Sequence, residues 1–282
     1  MRRQLMRRSY LFIPGDVPRM LQNLDVFDAD AVIIDFEDGV HPDQKEAARQ
    51  LTRAFLKHHA TRDVAVFVRV NAWEEAAWFQ EDLACLSGSP LSGIVLPKAH
   101  PKHLTDVVFA LEEAGLPMQI VALLETPEVF FHALELAKHP AVSGLLLGGE
   151  DLTQALGVPR TSAGDEILFA RSTLVYAAKA FNKEAIDTPF TTVDDRDGLL
   201  ADAHKANALG FTGKAAIHPN HIHDIHVAFA PSVEAIETAE RILRRSETLK
   251  SMRFSLDGKM VDKPVVERAR ALLLRAAASR RR

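Results

Sequence analysis

The chain has 282 residues, 47% of them hydrophobic and 26% charged, enough for one large α/β core or one core with a small appendage. A net charge of −4 argues against nucleic acid as the main partner, which usually needs a basic face, and no stretch approaches the length of a membrane span. Cys85 stands alone, so disulfides within the chain are excluded and a reducing, cytoplasmic compartment is expected.

The first residues, Met1-Arg-Arg-Gln-Leu-Met-Arg-Arg-Ser9, are basic, but the apolar run behind them (Tyr10 to Pro14) is too short for a signal peptide. From there β-rich runs alternate with helical patterns. Ser9–Pro14 precedes a helical pattern over 17–27, Ala31–Phe36 one over 43–57, Val64–Val70 one over 76–86 and Gly93–Pro97 one over 101–114. Gln119–Leu124 is followed by 127–138, Ser143–Leu147 by 167–181, Glu184–Asp187 by 197–209 and Lys214–Ile217 by 232–245. Thr126-Pro127 supplies an N-cap with proline at the first helical position, and Asp151-Leu-Thr-Gln154 fits a capping box. Eight strand–helix units of about 30 residues match a (β/α)8 TIM barrel of ~250 residues, whereas a doubly wound open sheet would leave fewer strands.

The expected barrel domain is 1–245. Beyond it, Phe254-Ser-Leu-Asp257-Gly258-Lys-Met-Val261 carries a hairpin signal, with Asp-Gly able to fill the φ > 0 positions of a type I′ turn. A helix follows from Pro264, and the tail ends in three arginines. Residues 246–282 are therefore expected as a C-terminal hairpin-plus-helix segment. It could serve as a lid over the mouth, an arm to a neighbouring subunit, or a helix closing the barrel floor.

In such a barrel, chemistry sits at the C-terminal ends of the strands. Those positions hold Gly15 and Asp16, Glu37 and Asp38, Arg69 and Asn71, Lys98, Glu125, Glu150 and Asp151, Asp187, and His218. Glu125 and Asp151 each close an apolar segment, and two acids from separate strands can share one hard cation such as Mg²⁺. Arg69 lies within Val64-Ala-Val-Phe-Val-Arg-Val70, where a buried cation needs a carboxylate partner or an anionic ligand.

Each residue also has a plainer reading. Glu125 could pair with Lys98 or Arg69, Arg69 could be a structural ion pair, and Asp151 could be a helix cap. Glu37 and Asp38, before Gly39, could only shape a loop. Lys98, beside several acids, stays protonated and is a poor Schiff-base nucleophile. The histidines at 218, 221, 223 and 226 read as solvated loop and helix-start residues, and Cys85 as a packing residue. No phosphate-binding glycine loop occurs.

Ser9-Tyr-Leu-Phe-Ile-Pro-Gly15, Ala31-Val-Ile-Ile-Asp35-Phe-Glu37-Asp38-Gly, Val68-Arg69-Val-Asn71, Leu96-Pro-Lys98, Leu124-Glu125-Thr, Gly149-Glu-Asp151-Leu, Phe169-Ala-Arg171 and Gly258-Lys-Met-Val-Asp262 occur in order along the chain. Together they resemble the citrate lyase beta subunit-like family, within the acyl-CoA lyases and HpcH/HpaI-type aldolases. The resemblance implies a TIM barrel with a C-terminal lid, Mg²⁺ held by Glu125 and Asp151, and Arg69 on the substrate's carboxylate and carbonyl side. It implies Asp262 as a catalytic acid or base delivered from a neighbouring subunit of a homotrimer or hexamer. Pro14 and Gly15 fall on a segment lining the CoA channel, and Glu37, Asp38 and Lys98 join Arg69 and Glu125 in the substrate-binding set. Arg8 and Arg19 are candidates for CoA phosphates by charge alone.

The implied reaction is Mg²⁺-dependent cleavage of a 3-hydroxy-3-carboxyacyl-CoA to acetyl-CoA and a 2-oxo acid. Citramalyl-CoA, malyl-CoA and citryl-CoA are the possible substrates, with the first favoured because nothing in the chain demands a multi-subunit complex. Asp16 and Val129 depart from the family's usual small residues, Val129 narrowing the pocket. Two alternatives stand beside this reading: a beta subunit of a citrate lyase complex acting on an acyl-carrier-protein thioester, and a non-catalytic binder of 2-oxo acids.

Overall fold

Eight parallel strands, each hydrogen-bonded to the next and the last back to the first, close into a barrel. They are β1 (Ser9–Pro14), β2 (Ala31–Asp35), β3 (Ala65–Arg69), β4 (Gly93–Leu96), β5 (Ile120–Leu124), β6 (Val142–Leu147), β7 (Glu184–Asp187) and β8 (Gly213–Ala216). The helices are α1 (Pro18–Gln22), α2 (Lys45–His58), α3 (Ala76–Leu86), α4 (Pro101–Glu113), α5 (Ala133–Lys138), α6 (Gly149–Leu156), α7 (Leu168–Ala180), α8 (Arg196–Leu209) and α9 (His221–Phe229). The computed structural model describes residues 7–58, 64–117 and 119–279, so most of the basic first residues and the three terminal arginines lie outside it.

Strand alternation fills the barrel. Tyr10, Ala31, Ile33, Phe67, Val95, Val121, Leu123, Leu146, Ile186 and Ala215 form one buried cluster inside it. Because successive side chains alternate, the next residue on each inward face is Asp35 on β2, Arg69 on β3 and, one step past β5, Glu125. The same alternation turns Asp187 outward, since Ile186 faces in. It is therefore not a mouth residue.

Asp187 is instead the centre of a buried ionic network between barrel and helices. Arg171 of α7 donates from Nε to Asp187 Oδ1 and from Nη2 to Asp187 Oδ2, both at 2.9 Å, and reaches Asp202 of α8 at 2.6 Å. Lys214 of β8 donates to Asp187 and Asp202 at 2.6 Å each, and to the Thr188 carbonyl at 2.7 Å. The Arg171, Asp187 and Lys214 side chains are fully excluded from solvent.

Several local expectations change. The helix expected over 17–27 breaks into α1 and a 3₁₀ turn (Leu24–Phe27) that ends at Asp28 in the left-handed region. The one expected over 127–138 starts as a 3₁₀ segment (Glu128–His132) before α5. The capping box at Asp151 does not form: α6 begins at Gly149 behind Gly148, which puts Asp151 in its first turn. The late histidines are not all solvated. His221 is buried with its ring against the Val193 carbonyl, and His226 Nε2 lies 2.8 Å from Ser9 Oγ. Cys85 is buried as expected, its thiol on the Arg49 carbonyl.

Two compact units divide the described chain, one over 7–228 and one from 229 onward. In the second, α10 (Val233–Leu249) and α11 (Lys263–Ser279) pack with a hairpin of β9 (Phe254–Leu256) and β10 (Lys259–Val261). Its core is Ala239, Ile242, Val261, Val266 and Ala269. Asp257 and Gly258 carry φ of 51° and 76°, the conformation a two-residue primed turn requires. Asp262 caps α11 through Oδ1, which accepts from Val265 N at 3.3 Å.

Candidate active site

The inward residues that end β2, β3 and β5 meet at the C-terminal mouth. Arg69 is gripped by Asp35, with Nε 2.7 Å from Oδ1 and Nη2 2.6 Å from Oδ2, a two-point fit of guanidinium to carboxylate. Its Nη1 lies 2.8 Å from Glu37 Oε2. The structural ion pair expected of Arg69 is thus present, and it lies at the strand ends. Burial works against its charge, yet the hydrogen bonds and charges of Asp35, Glu37 and Glu125 hold its pKa above the ordinary value.

Asp35 is the residue that sequence reasoning missed as part of the site. It also accepts from the backbone N–H of Glu37 at 2.9 Å and of Gly39 at 3.0 Å, and so shapes the loop that carries Glu37 and Asp38. Lys45 steadies the same loop, donating to the carbonyls of Phe36 (2.7 Å) and Glu37 (3.0 Å) and to Asn71 Oδ1 (2.6 Å). Asn71 is fully buried there and tied to Asp82, so it supports the mouth from behind.

Glu125 is buried and pairs with neither cation directly. Its Oε1 accepts from the backbone N–H of Lys98 at 2.7 Å. Lys98 sits at φ 47°, an uncommon conformation for a side chain with a Cβ, and it turns that N–H onto the carboxylate. The Lys98 side chain is half-exposed, with Nζ 3.5 Å from Glu37 Oε1. Gly148, at the start of α6, lies so close that a Cβ there would stand 2.6 Å from Glu125 Cβ and 2.9 Å from its Oε2.

Five carboxyl groups therefore share the mouth with two cations. Burial pushes the Glu125 carboxyl up to about 8, and Glu37 and Asp151 add to the rise. Glu37 goes up to about 7, again through burial first, with Asp38 and Asp35 adding. Neither Glu37 oxygen has an aligned hydrogen-bond donor, although both are buried. Mutually repelling, incompletely satisfied carboxylates fit a hard dication, and Mg²⁺ is commonly held by one or two carboxylates with water and substrate completing its shell. Glu125 and Asp151, from separate segments, are the residues that would hold such an ion. Gly148→Ala should displace Glu125 and weaken divalent-cation binding by about 10–100-fold while leaving the far-ultraviolet circular dichroism unchanged. Isothermal titration of both proteins with Mg²⁺ checks this.

The remaining expected residues fall as follows. Pro14 ends β1 opposite Asp35, and Gly15 donates from its N–H to the Asp35 carbonyl at 3.0 Å, which brings both to the mouth. Asp38 is exposed beside Glu37. Arg8 is misplaced for CoA: it precedes β1, about 20 Å down the strand at ~3.3 Å per residue, and is held by Asp30.

The comparisons with known proteins show the family. Residues 8–219 match the model of the HpcH/HpaI aldolase/citrate lyase family. The chain belongs to that family. A citrate lyase subunit beta-like protein of Deinococcus radiodurans is 38% identical, covering 94% of this chain and 96% of its own. A (3S)-malyl-CoA thioesterase of Cereibacter sphaeroides is 31% identical, covering 96% and 95%. Among solved structures, the CitE protein of Mycobacterium tuberculosis in complex with magnesium, acetoacetate and coenzyme A aligns with a TM-score of 0.83 at 33% identity, over 96% of this chain and 98% of that one. These three relatives each align with nearly the whole chain. Among the described residues, no helix is long and apolar enough to cross a membrane.

Proposed function

We propose that the chain is a Mg²⁺-dependent carbon–carbon lyase that cleaves a 3-hydroxy-3-carboxyacyl-CoA to acetyl-CoA and a 2-oxo acid. The observation that carries this reading is the buried, inward Glu125 at the strand ends, near enough to Asp151 for that acid's charge to push it up, with an arginine fixed by Asp35 alongside. Bound between those two acids, Mg²⁺ supplies Lewis acidity toward the substrate's hydroxyl and carboxylate. Arg69 has five N–H groups, of which Asp35 accepts two, on Nε and Nη2, while Glu37 pairs with Nη1 by charge, so at least one N–H on each Nη is left for the substrate's carboxylate. It faces the oxygen where negative charge grows as the hydroxyl proton leaves and the C2–C3 bond breaks. The electron pair of that bond becomes the acetyl-CoA enolate, and Asp262, brought from a neighbouring subunit of a homotrimer or hexamer, takes up the hydroxyl proton as a carboxylate and returns it to the enolate carbon. Residues 246–282 act as the lid that keeps water from that carbon.

Val129, buried four residues after Glu125, argues for a 2-oxo acid smaller than oxaloacetate, and citramalyl-CoA giving pyruvate is preferred because nothing in the chain demands a multi-subunit complex. Hydrolysis of the same thioester is a second reading, supported by the malyl-CoA thioesterase relative, and action on a carrier-protein thioester a third, supported by the citrate lyase beta-like relative. One experiment separates them: incubation with citramalyl-CoA, malyl-CoA or citryl-CoA and Mg²⁺, with and without EDTA. A lyase releases acetyl-CoA and one 2-oxo acid and stops in EDTA. A thioesterase releases free CoA and the intact hydroxy acid. Silence on all three esters, with turnover of a carrier-protein thioester, marks the complex subunit, and silence on every thioester marks a binder.

A further inference from the structure

A second constellation lies apart from the acids. Among the described residues, His100, Glu128 and His132 each offer one donor atom, all within 4.8 Å of one another. His100 opens α4 as its N-cap, while Glu128 and His132 bracket the 3₁₀ segment after β5. His100 Nε2 is 3.8 Å from Glu128 Oε1, and the two imidazole rings are 5.2 Å apart at 52°. Glu135 stands 3.6 Å from His132 Nδ1, where a metal-bound imidazole needs an acceptor for its second nitrogen.

We propose that His100, Glu128 and His132 form a site for a borderline transition-metal dication of the Zn²⁺ class, separate from the carboxylate site for Mg²⁺. Two imidazoles and one carboxylate suit Zn²⁺, Ni²⁺ or Cu²⁺ and not Mg²⁺, which takes oxygen. Glu128 is exposed, so the fourth position is open to water. The ligands come from two segments, and an ion there staples the start of α4 to the segment after β5. Those segments carry Lys98 and Glu125, two residues before His100 and three before Glu128, so the staple also stiffens one side of the mouth. Loading has one local cost. His100 Nδ1 accepts from Lys102 N–H at 3.1 Å, and ligation through Nε2 moves the ring proton to Nδ1 and leaves that exposed N–H to water.

The test is Zn²⁺ titration of the full chain in excess Mg²⁺ by calorimetry, with Co²⁺ as an optical probe of low-coordinate geometry. Wild type and Glu125→Gln should each take one Zn²⁺ at this site. His132→Ala and His100→Asn should bind it about tenfold or more weakly and lose the Co²⁺ visible bands. Asparagine is chosen at 100 because it keeps the helix cap while removing the imidazole. Equal Zn²⁺ binding in wild type and both histidine variants overturns the proposal, as does an absence of binding in wild type. Loss of the site in Glu125→Gln also overturns it, because the ion would then sit among the acids.

Discussion

Glu125→Gln should abolish turnover while the fold stays intact. The substitution is nearly isosteric, and its amide oxygen can still accept the Lys98 N–H that Glu125 holds at 2.7 Å. What disappears is the charge proposed to hold a cation together with Asp151. Metal polarisation of a reacting oxygen is worth several kcal/mol, and each 1.36 kcal/mol is a factor of ten, so the fall in kcat should be on the order of 10³-fold or more. Mg²⁺ affinity should fall with it. The melting temperature should hold or rise, because Glu125 is a buried carboxylate pressed by Glu37 and Asp151. Turnover within tenfold of wild type in metal-depleted buffer would sink the metal mechanism.

Arg171→Met should be the most damaging change to stability. Arg171 bridges Asp187 and Asp202, and its loss leaves two buried carboxylates with Lys214 as their one cation. Removing one partner of a buried ionic network costs about 3–5 kcal/mol, because the charges left behind cannot reach water. At ~2–4 °C per kcal/mol for a domain of this size, the melting temperature should fall by about 6–20 °C. Arg171→Lys keeps the charge but cannot span both acids, and should fall between. A melting temperature of Arg171→Met within about 2 °C of wild type contradicts a stabilising role for the network.

The barrel was legible because strands buried on both faces read as short apolar runs, and their ends carry the chemistry. Strand limits from the sequence fall within a residue of the observed ones, and alternation alone points Arg69 and Glu125 inward. Asp35 obeys the same alternation, but its partner lies one strand away, and pairing across strands is not written in local spacing. The outward turn of Asp187 was legible from Ile186. Its partners Arg171 and Asp202 were not, because they arrive from two different helices. Helix α9 hid behind its histidines, although Ile222, Ile225 and Phe229 recur on its buried face. The His100–Glu128–His132 trio joins segments about 30 residues apart, and only closure of β4 against β5 brings them together.

The central claim is carbon–carbon cleavage through an enolate. It is tested most directly by incubating the chain with citramalyl-CoA and Mg²⁺ in D₂O and reading the products by mass spectrometry. Protonation of an enolate carbon predicts pyruvate and acetyl-CoA in equal amounts, with at least one deuterium in the acetyl methyl group. Free CoA with intact citramalate, and no acetyl-CoA, would contradict it.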